Sequence, residues 1–125
     1  KDYTGTWVNI AINYGGQDEI LRAAKKLAKD CVDGVQNPEE ITHSVFESYL
    51  DTAGQPPVDL VIRPSGEHRL SNFLIWQCAY AEFVYMDVLW PDFTEKSLDA
   101  ALEEYSKRSR RFGGLTGKEK GASAQ

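Results

Sequence analysis

Val58-Asp59-Leu60-Val61-Ile62-Arg63, closed by Pro64-Ser65-Gly66, is the most telling run in this 125-residue sequence. A short, mostly apolar and β-branched segment bounded by turn formers suits a strand buried on both faces, as in parallel sheets. The strand is expected to end at Arg63. On its amino side, Asn37-Pro38-Glu39-Glu40 predicts a helix start, with Asn as the cap and Pro at the first helical position. Ile41, Val45, Phe46, Tyr49 and Leu50 then supply one apolar face. On its carboxyl side, Asn72 to Tyr80 is apolar nearly all round, which predicts an enclosed helix with Ser71 placed to cap it. Phe83 to Trp90 reads as a further strand stopped by Pro91. From Thr94 or Glu95 to Arg111 the spacing predicts an amphipathic helix, with Leu98, Ala101, Leu102 and Tyr105 inward and Gly113-Gly114 as the stop.

Further upstream, Trp7-Val8-Asn9-Ile10-Ala11-Ile12-Asn13-Tyr14 predicts a strand, and Gly15-Gly16 a tight turn after it. From Gln17 to about Val32, Ile20, Leu21, Ala24, Leu27, Ala28 and Cys31 recur at helical spacing. Asp18 and Glu19 sit in the first turn, where negative charge opposes the helix dipole, and Asp33-Gly34 ends the element. Strands separated by helices imply crossovers and an α/β class: a parallel sheet flanked by helices. Three strands are thin cover for long edges, so these are expected to be the carboxy-terminal three strands of a larger open sheet, completed by a preceding segment or a partner chain.

Composition narrows the function. A hydrophobic share of 42% is that of a globular chain. A net charge of -5 and a pI near 5.0 give no reason to expect nucleic acid as a partner. The longest apolar stretch, Phe73 to Trp90, is interrupted by Gln77, Glu82 and Asp87 and does not read as a membrane span. Cys31 and Cys78 have no second cysteine or histidine at metal-ligand spacing and read as half-buried thiols. The polar Lys1-Asp2-Tyr3-Thr4-Gly5-Thr6 start carries no signal-peptide pattern and looks like a loop inside a longer protein. A cytoplasmic location is expected.

The chemistry concentrates in Arg63-Pro64-Ser65-Gly66-Glu67-His68-Arg69-Leu70-Ser71-Asn72-Phe73. In open α/β sheets, ligands collect beyond the carboxyl ends of strands, and a helix start offers amide donors to an anion. Arg63 and Arg69 each present a planar fork suited to phosphate oxygens, Ser71 adds a hydroxyl, and Gly66 would let backbone approach closely. A diphosphate is the natural ligand. Spacing alone leaves a second reading open, in which both arginines make surface salt bridges with Glu67 or Asp59. His68 could meet phosphate but is more commonly an exposed loop histidine, and His43 shows no chemical role. Trp76, Tyr80, Tyr85 and Trp90 read as packing residues before substrate contacts. Asn13 and Tyr14 are candidates for supporting the site from the strand end.

Arg63-x-x-Gly66-Glu67-x-Arg69-x-Ser71-Asn72-Phe73, Trp76-Gln77-x-Ala79-Tyr80-x-Glu82 and Leu89-Trp90-Pro91-Asp92-Phe93 resemble the carboxy-terminal signature of cis-prenyltransferases of the undecaprenyl diphosphate synthase type. Asn13-Tyr14-Gly15-Gly16 and Arg110-Arg111-Phe112-Gly113-Gly114 fit the same family in the same order. The resemblance covers all but the tail and makes residues 1–117 the carboxy-terminal part of a single domain, with 118–125 a flexible tail. It implies condensation of isopentenyl diphosphate with an allylic diphosphate such as farnesyl diphosphate, giving a cis-polyprenyl diphosphate. Arg63, Arg69 and Ser71 would hold the isopentenyl diphosphate. Glu82 resembles the acidic residue associated with Mg2+, although by itself it reads as a carboxylate closing a helix or pairing with an arginine. Arg111 and Gly113 look like the element that reaches the other subunit's diphosphate site.

The resemblance further implies a homodimer, for which the third strand and last helix are the candidate surface, and membrane association only through the lipid product. Pro64-Ser65 departs from the usual loop without removing a needed side chain. No Asp-Gly-Asn-x-Arg motif, which carries the family's catalytic aspartate, occurs in the 125 residues. It would lie before Lys1, so the isolated chain is expected to be inactive. The absence of an Asp-Asp-x-x-Asp run agrees with the cis class. A noncatalytic partner subunit of a prenyltransferase complex is the alternative, and an unrelated nucleotide-binding domain is a third reading for which Gly15-Gly16 is weak support.

Overall fold

The structure, a computed structural model, describes residues 5–108. The chain gathers into two compact units: one drawn from residues up to Pro56 together with Leu70–Trp76, the other from Pro57–Arg69 and from Gln77 onward.

In the first unit, helix α1 spans Gly16–Val32, close to the expected bounds. Its buried stripe is Gly16, Glu19, Ala23 and Leu27, so the face is turned from the one that apolarity predicts, and Leu21, Ala24 and Ala28 are exposed. The cause is Glu19, a buried carboxylate that accepts from the Tyr14 hydroxyl and from the Asp51 backbone N–H at 2.7 Å. Satisfying that charge takes precedence over hiding two alanines.

The single helix expected after Pro38 is two. Asn37 caps a 3₁₀ turn, Pro38–Glu40, by accepting from Glu39 N–H at 3.1 Å. Ile41 is then extended, and Thr42 accepts from Val45 N–H at 3.2 Å to start α2, His43–Glu47. A second capping side chain so soon after the first restarts the chain. Helices α1 and α2 pack together, Tyr49 donating to Asp30 at 2.8 Å and Arg22 gripping Asp51 with both terminal nitrogens at 2.9 and 2.7 Å.

Two expected elements are absent. Asn72 to Tyr80 forms a run of turns and no helix. Ser71, Asn72 and Leu74 have φ of +52°, +63° and +44°, which a right-handed helix cannot contain. Asn72 is held there by α1: its carbonyl accepts from Gly16 N–H at 2.7 Å and its Oδ1 from Gln17 N–H at 2.9 Å. Nor is Trp7–Tyr14 a strand: no ladder forms among residues 5–15, and Trp7, Val8, Ile10 and Ile12 are 78–84% exposed. A strand exists only against a neighbour that pairs its backbone.

In the second unit, β1 (Leu60–Arg63) pairs in parallel with β2 (Glu82–Tyr85), Leu60 opposite Glu82 and Arg63 opposite Tyr85. The α/β class and parallel sheet are thus borne out, with two strands among the described residues where three were expected. β2 stops five residues short of Trp90, where a 3₁₀ turn, Trp90–Asp92, takes over. Helix α3, Glu95–Ser106, opens with a Thr94/Ser97 capping box and packs Ala101, fully buried, on the β2 side. It ends at Ser106, short of the expected Arg111, and Leu98 and Leu102 are exposed where inward positions were expected. Among the described residues no helix is long and apolar enough to cross a membrane.

Candidate functional site

Arg63 ends β1, and the chain then turns back on itself. Ser65 and Gly66 both take positive φ, +80° and +67°. Their amides are fixed by the segment after β2: Ser65 N–H donates to Val88 O at 2.7 Å, Gly66 N–H to Met86 O at 2.9 Å, and Met86 N–H returns to Arg63 O at 3.0 Å. The glycine is therefore required for a left-handed turn that would bring any added Cβ within 3.1 Å of Asp87 Oδ1. Its amide serves the fold, where the sequence suggested close approach to a ligand.

Beyond this turn the two arginines meet on one carboxylate. Arg63 Nη2 donates to Glu67 Oε2 at 2.5 Å, and Arg69 Nη2 to Glu67 Oε1 at 2.5 Å. The side chains are partly open to solvent, 33% for Arg63, 37% for Glu67 and 67% for Arg69. Two guanidiniums to one carboxylate leave the group with a net positive charge. The His68 ring lies 4.6 Å from that of Tyr85, so the imidazole rests on an aromatic face beside the pair.

Ser71 follows Arg69 by two residues, is exposed, and sits in a left-handed turn of the first unit. It caps no helix, since none follows. Glu82 stands apart from Arg63 within the second unit. Three register steps separate them, about 10 Å along the strands, and alternation places them on opposite faces. Glu82 instead pairs with Arg108 at 3.2 Å, and Arg108 also donates to Phe83 O at 2.7 Å and to Glu104. Glu104 first, then Glu82, raises the Arg108 pKa further. Arg108 was not singled out from sequence. As one arginine near the end of an amphipathic helix, it gave no signal to find it by.

Among the described residues no three His, Cys, Asp or Glu side chains gather where they could hold a metal. Glu82 offers one carboxylate, already engaged by an arginine, so the described residues do not make a magnesium site by themselves. Arg111 and Gly113 lie outside the described residues.

Asn13 and Tyr14 serve the first unit. Asn13 takes a φ of +52°. Burial first, then the hydrogen bond to Glu19, pushes the Tyr14 phenol well above its usual range, and its ring meets Phe73 edge-on at 5.7 Å. Gly15-Gly16 is a point of close approach: a Cβ on Gly16 would sit 2.9 Å from Ile75 Cγ1 and 3.1 Å from Asn72 O. Trp76 packs on Phe46 at 4.7 Å and donates to Glu47 at 3.2 Å. With Ile41, Thr42, His43 and Phe46 it lines an open cleft of about 470 Å3 holding no lysine or arginine, which is ill suited to a phosphate. Tyr80 and Trp90, read as packing residues, are exposed, and Trp90 stacks only on Phe93 at 5.5 Å among the ring contacts seen.

A family model described as "Putative undecaprenyl diphosphate synthase" matches residues 1–113. An isoprenyl transferase of Clostridium tetani is 50% identical over 115 residues, 92% of this chain and 45% of that protein. A ditrans,polycis-undecaprenyl-diphosphate synthase, (2E,6E)-farnesyl-diphosphate specific, of Photorhabdus laumondii is 49% identical over 111 residues, 89% of this chain and 44% of that protein. Among solved structures, lavandulyl diphosphate synthase from Lavandula x intermedia, in complex with dimethylallyl diphosphate, superposes with a TM-score of 0.79 at 42% identity, covering 82% of this chain and 44% of that one. The chain spans less than half the length of these relatives.

Proposed function

The chain belongs to the undecaprenyl diphosphate synthase family, and on that premise we propose that it supplies the isopentenyl diphosphate site of an enzyme that condenses this substrate with an allylic diphosphate, such as farnesyl diphosphate, to a cis-polyprenyl diphosphate. The observation that carries the proposal is the convergence of Arg63 and Arg69 on one carboxylate, each at 2.5 Å. Two forks that can share one anion of the chain can share a diphosphate, whose oxygens suit guanidinium geometry. The task of these residues is to fix that diphosphate so that the homoallylic carbon meets the allylic one in a single orientation. Ser71 is assigned as a further donor on the family motif alone, and Arg111 and Gly113 as the contribution to a second subunit of a homodimer. Glu82 would have to release Arg108 to serve a metal.

Calorimetric titration of the 125-residue chain tests the assignment. Isopentenyl diphosphate is expected to bind and a nucleoside triphosphate not to. Arg69→Ala should weaken the diphosphate by about ten- to a hundredfold, the scale of a lost charge-assisted hydrogen bond of roughly 1.5–3 kcal/mol. A nucleotide signal lost in the variant, with no diphosphate signal in either protein, would favour a nucleotide-binding domain. The same preparation should give no radiolabelled condensation product, because the family's aspartate motif is not among its 125 residues.

A further inference from the structure

The cleft of about 470 Å3 in the first unit takes no part in the diphosphate chemistry, and its walls have a chemistry of their own. Of the five residues lining it, His43, Phe46 and Trp76 contribute rings. The ring planes are steeply inclined: 51° between Phe46 and Trp76, whose centroids are 4.7 Å apart, and 62° between His43 and Trp76, at 6.1 Å. Rings set in this way do not stack into one slab but stand as angled walls. We propose that the cleft is a binding site for a quaternary ammonium group, a role independent of the diphosphate reading.

The face of an aromatic ring is electron-rich and attracts a cation within about 6 Å of its centroid, tryptophan most strongly. Trp76 Nε1–H donates to Glu47 Oε1 at 3.2 Å, which fixes the indole and sets a carboxylate at its edge. Glu39 and Glu40 immediately precede the lining stretch, and all three glutamates are exposed. From Pro38 to Ser48 the sequence holds no lysine or arginine, so the surround is complementary to positive charge and supplies no ammonium or guanidinium of its own. The kind of cation follows from the walls. A primary ammonium holds its water tightly, whereas a quaternary one is sheathed in methyl groups that suit Ile41 and the ring faces. A neutral hydrocarbon would gain burial there but leave the carboxylate unused.

Choline and its uncharged isostere 3,3-dimethyl-1-butanol separate charge from shape. Each is titrated at pH 8 and constant ionic strength against the 125-residue chain, Glu47→Gln and Phe46→Leu, following by NMR the indole N–H signal that Trp76→Leu removes. Choline is expected to shift that signal and to bind about tenfold more tightly than the isostere. Glu47→Gln should narrow the preference to about threefold, and Phe46→Leu should weaken choline severalfold while leaving the isostere nearly unchanged. Circular dichroism checks folding, and the exposed Glu47→Gln decides the matter should Phe46→Leu misfold. Equal binding of the two ligands would make the cleft a plain apolar groove and overturn the proposal. So would a signal that neither ligand moves, or a choline preference unaltered in Glu47→Gln. Cosedimentation with phosphatidylcholine vesicles, and not with phosphatidylglycerol vesicles, would assign the group to a lipid head; a response to free choline without it would assign a soluble ligand.

Discussion

At the level of single residues, Glu19 shows how a buried charge directs its surroundings. It is nearly inaccessible, and the Tyr14 hydroxyl and Asp51 N–H both donate to it. Tyr14→Phe removes one donor without changing shape and should destabilise the first unit by about 1–3 kcal/mol, the cost of weakening a buried charged group's hydrogen bonding; urea unfolding at neutral pH measures it. The pH dependence follows from the same bond. The folded-state pKa of Tyr14 lies above its ordinary value of 10.0, so its contribution is complete below that value and is lost as pH rises through the folded-state pKa. Tyr14→Phe should flatten that alkaline limb. On the acid side, Arg22 holds the Asp51 carboxyl below its ordinary value, so the benefit of that pair is present above that value and disappears as pH falls through the lowered pKa. The sequence exposed Arg63 and Arg69 plainly, because a strand end, a breaker and two forks lie within seven residues. It hid Glu19 behind an ordinary role, as an acidic residue in the first turn of a helix, since its partners at Tyr14 and Asp51 come from other elements.

At the level of elements, α1 begins where Gly15-Gly16 lets the Asn72 turn come close. Gly15 lacks a capping side chain, and Asn72 Oδ1 does that work for Gln17 N–H from 55 residues away. Asn72→Ala should therefore cost about 0.5–2 kcal/mol, as for other lost caps, and Asn72→Asp should keep most of it. Gly16→Ala should cost about 1–3 kcal/mol by overpacking, because its neighbours include backbone atoms, Asn72 O and Ile75 N, both at 3.1 Å. Thermal unfolding of the three variants ranks them. The same contact explains what local pattern could not reveal. Helix α1 was legible from a glycine turn followed by an acidic start and helical spacing, and β1 from its β-branched run and its breaker. Asn72–Tyr80 reads as a helix only in isolation; the left-handed turns at Ser71, Asn72 and Leu74 are fixed by a distant partner. The Thr42 cap of α2 lies five residues after the Asn-Pro start and was not read from the sequence.

At the level of the whole molecule, what stands out is apolar sequence without a partner. Trp7, Val8, Ile10 and Ile12 form an alternating, β-branched and aromatic run, 78–84% exposed, in a segment that pairs with no strand among the described residues. Among the described residues the sheet in the second unit has two strands, so it too presents edge amides and carbonyls. Both features favour association between copies, through strand addition and through burial of apolar side chains. The net charge of -5 opposes that association, and salt weakens the opposition, since screening limits charge effects to about 10 Å at 0.1 M salt. Self-association of the 125-residue chain should accordingly increase with salt and concentration. Replacing Ile10 and Ile12 by lysine places charge within the sticky run, a device that natural edge strands use against pairing. The double variant should sediment as a monomer at concentrations where the unaltered chain does not. Its thermal midpoint should change little, because side chains so exposed contribute little to either core. Unchanged association in the double variant would shift attention to other exposed apolar side chains, such as Leu98 and Leu102 on α3.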